Sequence, residues 1–461
     1  MKLVIVGGGG IRTPLFIESL LKRQADSENL ITHVTLHDLQ AERLEVIETM
    51  ARHLIGQLDS TLTIETTTDL DYALVDADFV VTTLRAGFEK GRILDEKVAI
   101  QNGCIGQETV GAGGFAMAMR SIPAVLNVAK KLAKASPNAW IINFTNPSGI
   151  ITQALHDAGF SKSIGICDSA DTIARSASQF YKVPEKEVDL KVYGLNHCSF
   201  AERVFFGRQD KTSDILADDG FMDSVMALYD KEELRAFNAL PNEYLYYYFY
   251  AKQAFEKIAA EKQTRGEIVL ALHKRFFEGA RSGGRLRGGQ ELFDLQAKLL
   301  SERKDSYMEY AWEDTDQTTR SEAARGGGAE SESEGYAGVA LSFIHALRAD
   351  KPRRLVINYP NGGAIDFFSH HDVAELTFEI SSSEIKPLPV FNMPPKIEML
   401  LKELKLYENL SCQACRTLSR RSALLALEVN PLVESREMAA ALLDDYAKAH
   451  GGTIKDIAEG V

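Results

Sequence analysis

This chain of 461 residues is poor in cysteine and tryptophan, with five of the first and two of the second. An odd, scattered set of cysteines excludes a disulfide framework and fits a reducing compartment. Long apolar runs are missing as well. No stretch reaches eighteen apolar residues, which argues against a membrane-spanning helix, and the opening MKLVIV reads as a core strand rather than a secretion signal. Positive charge is in deficit: 52 Lys and Arg stand against 65 Asp and Glu, a formal net charge of −13. That balance argues against non-specific binding to nucleic acid or to an anionic membrane. It leaves room for an anionic small molecule, because a local group of arginines and backbone N–H donors can hold a phosphate on an acidic protein. A cytoplasmic protein without nucleic-acid or membrane partners is expected.

What is present is organised. At 461 residues the chain exceeds the usual limit of a single core, so two lobes around a cleft are expected. KLVIV at 2–6 is a short β-branched run, followed by glycines at 7–10 and a helical pattern from Pro14 to Arg23. Strand, tight turn and helix in that order open a Rossmann unit. Gly7, Gly9 and Gly10 would let the backbone approach a pyrophosphate, and the helix N-terminus offers free N–H groups. Arg12 stands where the third glycine of G-x-G-x-x-G belongs, so a purely structural turn stays open. HVTLHD at 33–38 reads as a second strand ending in Asp38, an acid suited to a ribose hydroxyl, which favours NAD over NADP. ADFVVTT at 77–83 and AWIIN at 139–143 are further strands, after helical stretches at 41–57 and 120–134. The alternation predicts an α/β fold: a Rossmann-type doubly wound parallel sheet, lactate/malate dehydrogenase-like, over residues 1–170. An α+β domain over 171–461 is expected to bind substrate and metal and to form subunit contacts.

Polar groups collect just after the apolar runs, where such a sheet gathers its ligands. LRAGFEKGRILDE at 84–96 and GQETVGAGGF at 106–115 read as functional loops carrying Arg85, Arg92, Glu96, Gln107 and Glu108. NFTNPSG at 143–149 exposes Asn146, SIGIC at 163–167 ends in Cys167 beside Asp168, and YGLNHCSF at 193–200 delivers His197. A thiolate and an imidazole suit a divalent metal; an inert buried thiol and a structural histidine are the alternatives. Tyr244, Tyr247 and Tyr248 share one face of a predicted helix, either as a core stripe or with one tyrosine acting as a base.

These motifs, spread over nearly the whole chain, resemble glycoside hydrolase family 4, the NAD- and metal-dependent glycosidases. The resemblance rests on GGGG-x-RTP at 7–14, Gly91-Arg92 with Asp95-Glu96, GQETVGAGG at 106–114 and NFTNPSG at 143–149. It continues through GICDS at 165–169, YGLNHCSF at 193–200, YLYYY at 244–248, TRGE at 264–267 and VINYPNGGAI at 356–365. Members of the family depart from the two-carboxylate scheme of most glycosidases. The resemblance implies oxidation of the sugar at C3 by NAD, removal of the C2 proton, elimination of the aglycone, water addition and re-reduction. It implies Cys167 and His197 as ligands of Mn or another divalent metal, and Tyr244 as the base. Asn146 would touch sugar hydroxyls, while Arg265 would hold a 6-phosphate or help Tyr244 ionise. Arg92 would be a second active-site arginine, and Asp168 stands where some branches place a general acid.

Aspartate after the metal cysteine favours phosphorylated glycosides. SAD at 169–171 lacks the MPI continuation of the α branch. A 6-phospho-β-glucosidase is therefore expected, with a 6-phospho-α-glucosidase or a hydrolase of unphosphorylated α-galactosides or uronides as alternatives. The segment 323–335, rich in glycine and acid, departs from the family pattern. Cys412-x-x-Cys415 and His370-His371 are expected to be structural. Residues 393–449 read as helices whose outer face would join subunits into a homodimer or homotetramer. Outside the family, the competing readings are a malate- or lactate-type dehydrogenase that releases NADH and a non-catalytic NAD sensor.

Overall fold

The computed structural model describes residues 1–25, 31–169, 171–312, 335–391 and 393–459. Six strands come first: β1 (Lys2–Val6), β2 (His33–His37), β3 (Thr63–Thr67), β4 (Phe79–Thr82), β5 (Trp140–Asn143) and β6 (Ser163–Gly165). They pair in parallel in the order β3-β2-β1-β4-β5-β6. This is the doubly wound order of dinucleotide-binding domains, as expected. β1 and β4 are apolar on both faces because helices cover both sides of the sheet, and nearly every residue of the two strands is buried. The strand order reverses between β1 and β4, and a crevice opens at their carboxyl ends.

The expected boundary at residue 170 follows β6, yet the second half of the chain returns to the same sheet. Arg353–Pro360 runs antiparallel to β6, with Asn358 opposite Gly165, and Val373–Ile380 and Ile385–Pro387 extend the edge. A second, antiparallel sheet is built on the hairpin of β7 (Val188–Leu195) and β8 (Cys198–Phe206). Leu195 and Cys198 pair, so Asn196 and His197 form its two-residue turn. His197 adopts φ +63. A left-handed conformation costs a non-glycine residue about 1–2 kcal/mol, so the surrounding structure must hold it in place.

Two segments expected as loops are largely helical. Residues 88–101 form the helix Phe88–Gln101, entered through Gly87 at φ +84. Its buried face carries Glu89, Arg92, Asp95 and Glu96, so the apolar periodicity that marks a helix is absent. Gly111–Ala135 forms a second helix that begins inside the glycine-rich motif. Glycine disfavours helix, but the preceding loop lies against this one. A Cβ on Gly113 would stand 2.0 Å from the Gln107 carbonyl oxygen, and one on Gly114 2.7 Å from that of Thr109. The expected helical C-terminal region is present as Pro395–Thr417, Arg420–Val429, Arg436–His450 and Gly452–Glu459. The acidic part of 323–335, residues 323–334, lies outside the described residues.

Helix Phe88–Gln101 is anchored on its far side by Asp95, which is fully buried. Its carboxylate accepts from both terminal nitrogens of Arg120 at 2.5 and 2.6 Å and lies 2.8 Å from His450 Nε2. Breaking a buried pair leaves one charge uncompensated, at a cost of about 3–5 kcal/mol. Asp95→Ala is therefore expected to destabilise the chain by about that amount in urea unfolding; a change no larger than that of an exposed substitution would contradict the assignment.

Candidate active site

The glycine turn after β1 is fixed by backbone bonds. Gly7 and Gly8 N–H donate to the His37 carbonyl at 2.9 and 2.8 Å, and Gly10 N–H donates to the Gly7 carbonyl at 3.2 Å. Gly7 has φ +95, and a Cβ there would lie 2.8 Å from the Thr83 carbonyl carbon at the end of β4. Gly9 N–H donates to Asp38 Oδ2 at 3.1 Å, and Gln40 N–H to Oδ1 at 3.0 Å. Asp38 is thus held at the carboxyl end of β2, facing the same cavity as Gly7 and Gly10. Arg12, in the place of the third glycine, leaves the turn to pair with Asp168 at 3.0 Å. Its guanidinium also lies 5.0 Å from the centre of the Tyr336 ring, which stacks on Phe144 at 4.2 Å.

Cys167 and His197, on different sheets, meet. Cys167 Sγ lies 3.4 Å from His197 Nε2. Sulfur and nitrogen ligands of one tetrahedral ion, with bonds of about 2.3 and 2.1 Å, stand about 3.6 Å apart, so the pair fits a shared metal. Burial lowers His197 to about 4, against the opposing pull of Asp168 and Glu108, so its imidazole is neutral at pH 7, the form that binds metal. Burial pushes the Cys167 thiol up, as do Asp168 and Glu375, so metal binding there must release a proton. Among the described residues no set of three His, Cys, Asp or Glu gathers as a metal cage. With two protein ligands, a tetrahedral ion keeps positions for water or sugar oxygens.

The Tyr244 ring stacks on the His197 ring, with centroids 3.9 Å apart and planes at 14°. The expected tyrosine stripe is replaced by three separate settings, because the helix is a single turn, Leu245–Phe249, with Tyr244 as its N-cap. Tyr247 shares a hydrogen bond with the Tyr310 hydroxyl at 2.7 Å, and Tyr248 lines a small separate cavity near Tyr407 and Glu408. Burial, with Glu243 and Cys167, pushes Tyr244 well above the usual phenol range, while a hydrogen bond from Tyr307 works the other way. Its ionisation therefore requires added positive charge.

Glu375, absent from the expectations, ties this centre together. It is buried, and Oε2 accepts from Asn196 Nδ2 at 2.9 Å and Asn358 Nδ2 at 3.1 Å, while Oε1 accepts from Ser199 Oγ at 2.8 Å. Asn196 and Ser199 flank His197, and Asn358 pairs with Gly165 two residues before Cys167. No local pattern announces this acid; the signal available was its place opposite Asn358 of VINYPNGGAI.

A cavity of about 1270 Å³ joins these parts to a group of arginines. Arg92 pairs with Glu96 at 2.6 Å and Glu108 at 2.8 Å, and Arg85 also binds Glu108. Burial would raise Glu108, but Arg85 and Arg92 outweigh it and keep the carboxylate charged. Arg265 opens the helix Arg265–Gly279 and donates to Ser306 Oγ and the Arg303 carbonyl, both at 2.6 Å. Arg303, which the sequence reading missed, lines the same cavity. Burial first, then Arg12, Arg265, Arg85 and Arg92, lower it to about 9. Among the described residues neither Arg265 nor Arg303 has a carboxylate partner, so this end of the cavity favours an anion. Asn146 lines the same cavity.

Comparison with known proteins gives the family. The Family 4 glycosyl hydrolase description matches residues 2–182, and the Family 4 glycosyl hydrolase C-terminal domain matches residues 192–433. The chain belongs to glycosyl hydrolase family 4. A probable 6-phospho-β-glucosidase of Bacillus subtilis is 29% identical over 463 residues, covering 98% of this chain and 96% of the relative. The 6-phospho-β-glucosidase of Thermotoga maritima, solved with manganese, NAD+ and glucose-6-phosphate, superposes with a TM-score of 0.80 at 27% identity, over 97% of this chain and 98% of that one. A 6-phospho-α-glucosidase from gut microorganisms, solved with NAD and Mn2+, superposes with a TM-score of 0.79 at 26% identity, over 98% of both chains.

For this family 4 chain the Glu375 bridge is testable. Glu375→Gln turns one acceptor oxygen into an NH2 group facing amide donors. Supporting residues of this kind change metal affinity about 10–100-fold. The variant is expected to bind Mn2+ that much more weakly in titrations followed by electron paramagnetic resonance; unchanged affinity would contradict the bridge.

Proposed function

We propose that this family 4 enzyme hydrolyses 6-phosphoglucosides, the β anomer preferred, using NAD+ and Mn2+. The observation that carries the reading is one cavity that holds a dinucleotide-type glycine turn, a thiol–imidazole pair under Tyr244, and two arginines that form no ion pair with a carboxylate among the described residues. Bound NAD+ would supply a hydride acceptor for C3 of the sugar, and Mn2+ a positive charge at the C2 and C3 oxygens. Gly7, Gly9, Gly10 and Asp38 would seat the dinucleotide, and Cys167 with neutral His197 would hold the metal. Tyr244 would take the C2 proton, which the C3 ketone makes acidic, exchange it with solvent, and protonate C2 again after water adds at C1. Asn146 and Arg92 would orient sugar hydroxyls, with Arg265 at the phosphate. The net change is hydrolysis, with no NADH released.

Asp168 supports a second reading, a 6-phospho-α-glucosidase, because an acid there faces the cavity beside the metal pair. Its ion pair with Arg12 favours the β reading, since that carboxylate is held ionised. Residues 1–170 would carry NAD, and 171–461 the base, His197 and the subunit contacts. Met399 and Leu406, exposed seven residues apart on helix Pro395–Thr417, support a homodimer or homotetramer built on this helical face. All five cysteines are free, which agrees with a place in the cytoplasm.

The test offers p-nitrophenyl 6-phospho-β- and α-glucosides in D2O with NAD+, Mn2+ and a thiol, beside unphosphorylated glucosides, galactosides and galacturonides. Cleavage of the 6-phospho-β-glucoside with deuterium entering C2 and no net NADH is expected. Preference for the α anomer would establish the second reading, accumulation of NADH a dehydrogenase. Cleavage indifferent to removal of NAD+ and metal would sink the proposal.

A further inference from the structure

Two carboxyl groups line the cavity near Tyr244, in opposite electrostatic settings. Asp168 is paired with Arg12 at 3.0 Å; although burial works to raise it, Arg12 and then Arg175 hold its carboxyl below the ordinary range. Its Oδ2 is engaged by the Arg12 guanidinium. Glu243, immediately before Tyr244, is the reverse. Its Oε2 is buried without a hydrogen-bond partner among the described residues. Like charges face it from Asp168 and from Glu375 on Val373–Ile380, and Arg175 opposes them. Its other titratable neighbours are phenols, Tyr229, Tyr244, Tyr247 and Tyr307. Burial, then Asp168, raise it to about 7, against its own backbone N–H and Arg175, so Glu243 keeps a proton near neutral pH. Two acids whose surroundings drive them apart in this way divide the work of proton donor and charge stabiliser.

Stereochemistry says which donor a β-glucoside needs. In its chair form the axial C2–H and the equatorial C1–O bond lie on the same face of the ring. The group that takes the C2 proton and the group that protonates the leaving oxygen must therefore come from one wall. In an α-glucoside the C1–O bond lies on the opposite face, and the donor would come from across the ring. Tyr244 and Glu243 are consecutive in sequence and line one cavity.

We infer that Glu243 is the acid that protonates the glycosidic oxygen of a β-glucoside, an assignment that rests on the 6-phospho-β-glucosidase reading. After C3 has been oxidised by NAD+, Tyr244 takes the C2 proton and the C1–O bond breaks. The bond's electron pair goes to the aglycone oxygen, which takes the Glu243 proton, leaving a C1–C2 double bond. In the return step water oxygen bonds to C1, Glu243 takes the water proton, and C2 regains its proton from Tyr244. Hydride returned to C3 from the reduced nicotinamide would complete the turnover, with the hydroxyl proton that the C3 oxygen lost to solvent on oxidation taken back from solvent.

The experiment compares wild type, Glu243→Gln and Asp168→Asn, all with NAD+ and Mn2+, on two substrates. p-Nitrophenyl 6-phospho-β-glucoside has a leaving group that needs no proton, whereas methyl 6-phospho-β-glucoside has one that does. Glu243→Gln is expected to lose about 100-fold or more in kcat/KM on the methyl glycoside and under about 10-fold on the nitrophenyl one. NAD+ affinity and melting temperature report that the variant folds. If it does not fold, the wild-type pH profile carries the test: kcat should fall above about pH 7 on the methyl glycoside and not on the nitrophenyl one, because the donor loses its proton. Equal losses on both substrates, a shared alkaline limb, or a methyl-selective loss in Asp168→Asn would overturn the assignment. Absence of solvent deuterium at C2 in wild-type product would instead overturn the 6-phosphoglucosidase reading beneath it.

Discussion

One buried carboxylate, Glu375, holds the two halves of the site in register. The strand leading to Cys167 and the hairpin turn carrying His197 belong to different sheets, and their side chains must meet at 3.4 Å. Three short hydrogen bonds to Glu375 come from residues on both sides of that junction. They also explain how His197 keeps a left-handed backbone conformation, whose strain a free hairpin would release by moving. A buried acceptor is costly to leave unsatisfied, so these three bonds resist separation of the two halves.

Around that junction the charge is sorted. Helix Phe88–Gln101 turns Glu89 and Arg92 to the cavity wall and Asp95 to the C-terminal helices, so one element supports the site and ties it to the far end of the chain. Arg12 neutralises Asp168, Arg85 and Arg92 neutralise Glu108, and among the described residues Arg265 and Arg303 form no direct ion pair with a carboxylate, Glu108 acting on both only from a distance. Glu243 sits on the side where negative charge accumulates and stays protonated. A cavity arranged in this way attracts an anionic ligand at one end while keeping an acid and a base in reach of its centre.

The legible parts of the chain were those where the local pattern and the fold agree. β1, β2, β4, β5 and the glycine turn announce themselves as apolar runs broken by glycine, and the β7–β8 turn as Asn196-His197 between apolar stretches. Helix Phe88–Gln101 was not legible, because its buried face is charged and helical periodicity is read from apolar residues. β3, TIETT, lacks the apolar run that would mark it. Cys167, His197 and Tyr244 were found through motif resemblance, and their positions are consistent with shared chemistry. Glu375, Arg303 and Tyr336 carry no local signature; each acquires meaning only from neighbours distant in sequence.

A redox cofactor and a divalent metal acting on a single sugar require that its C2 and C3 hydrogens move during hydrolysis. Primary kinetic isotope effects on 6-phospho-β-glucosides deuterated separately at C2 and at C3 test it most directly. A normal primary effect at one or both positions is expected, with no NADH released. Effects of unity at both, with sensitivity confined to C1, would contradict it.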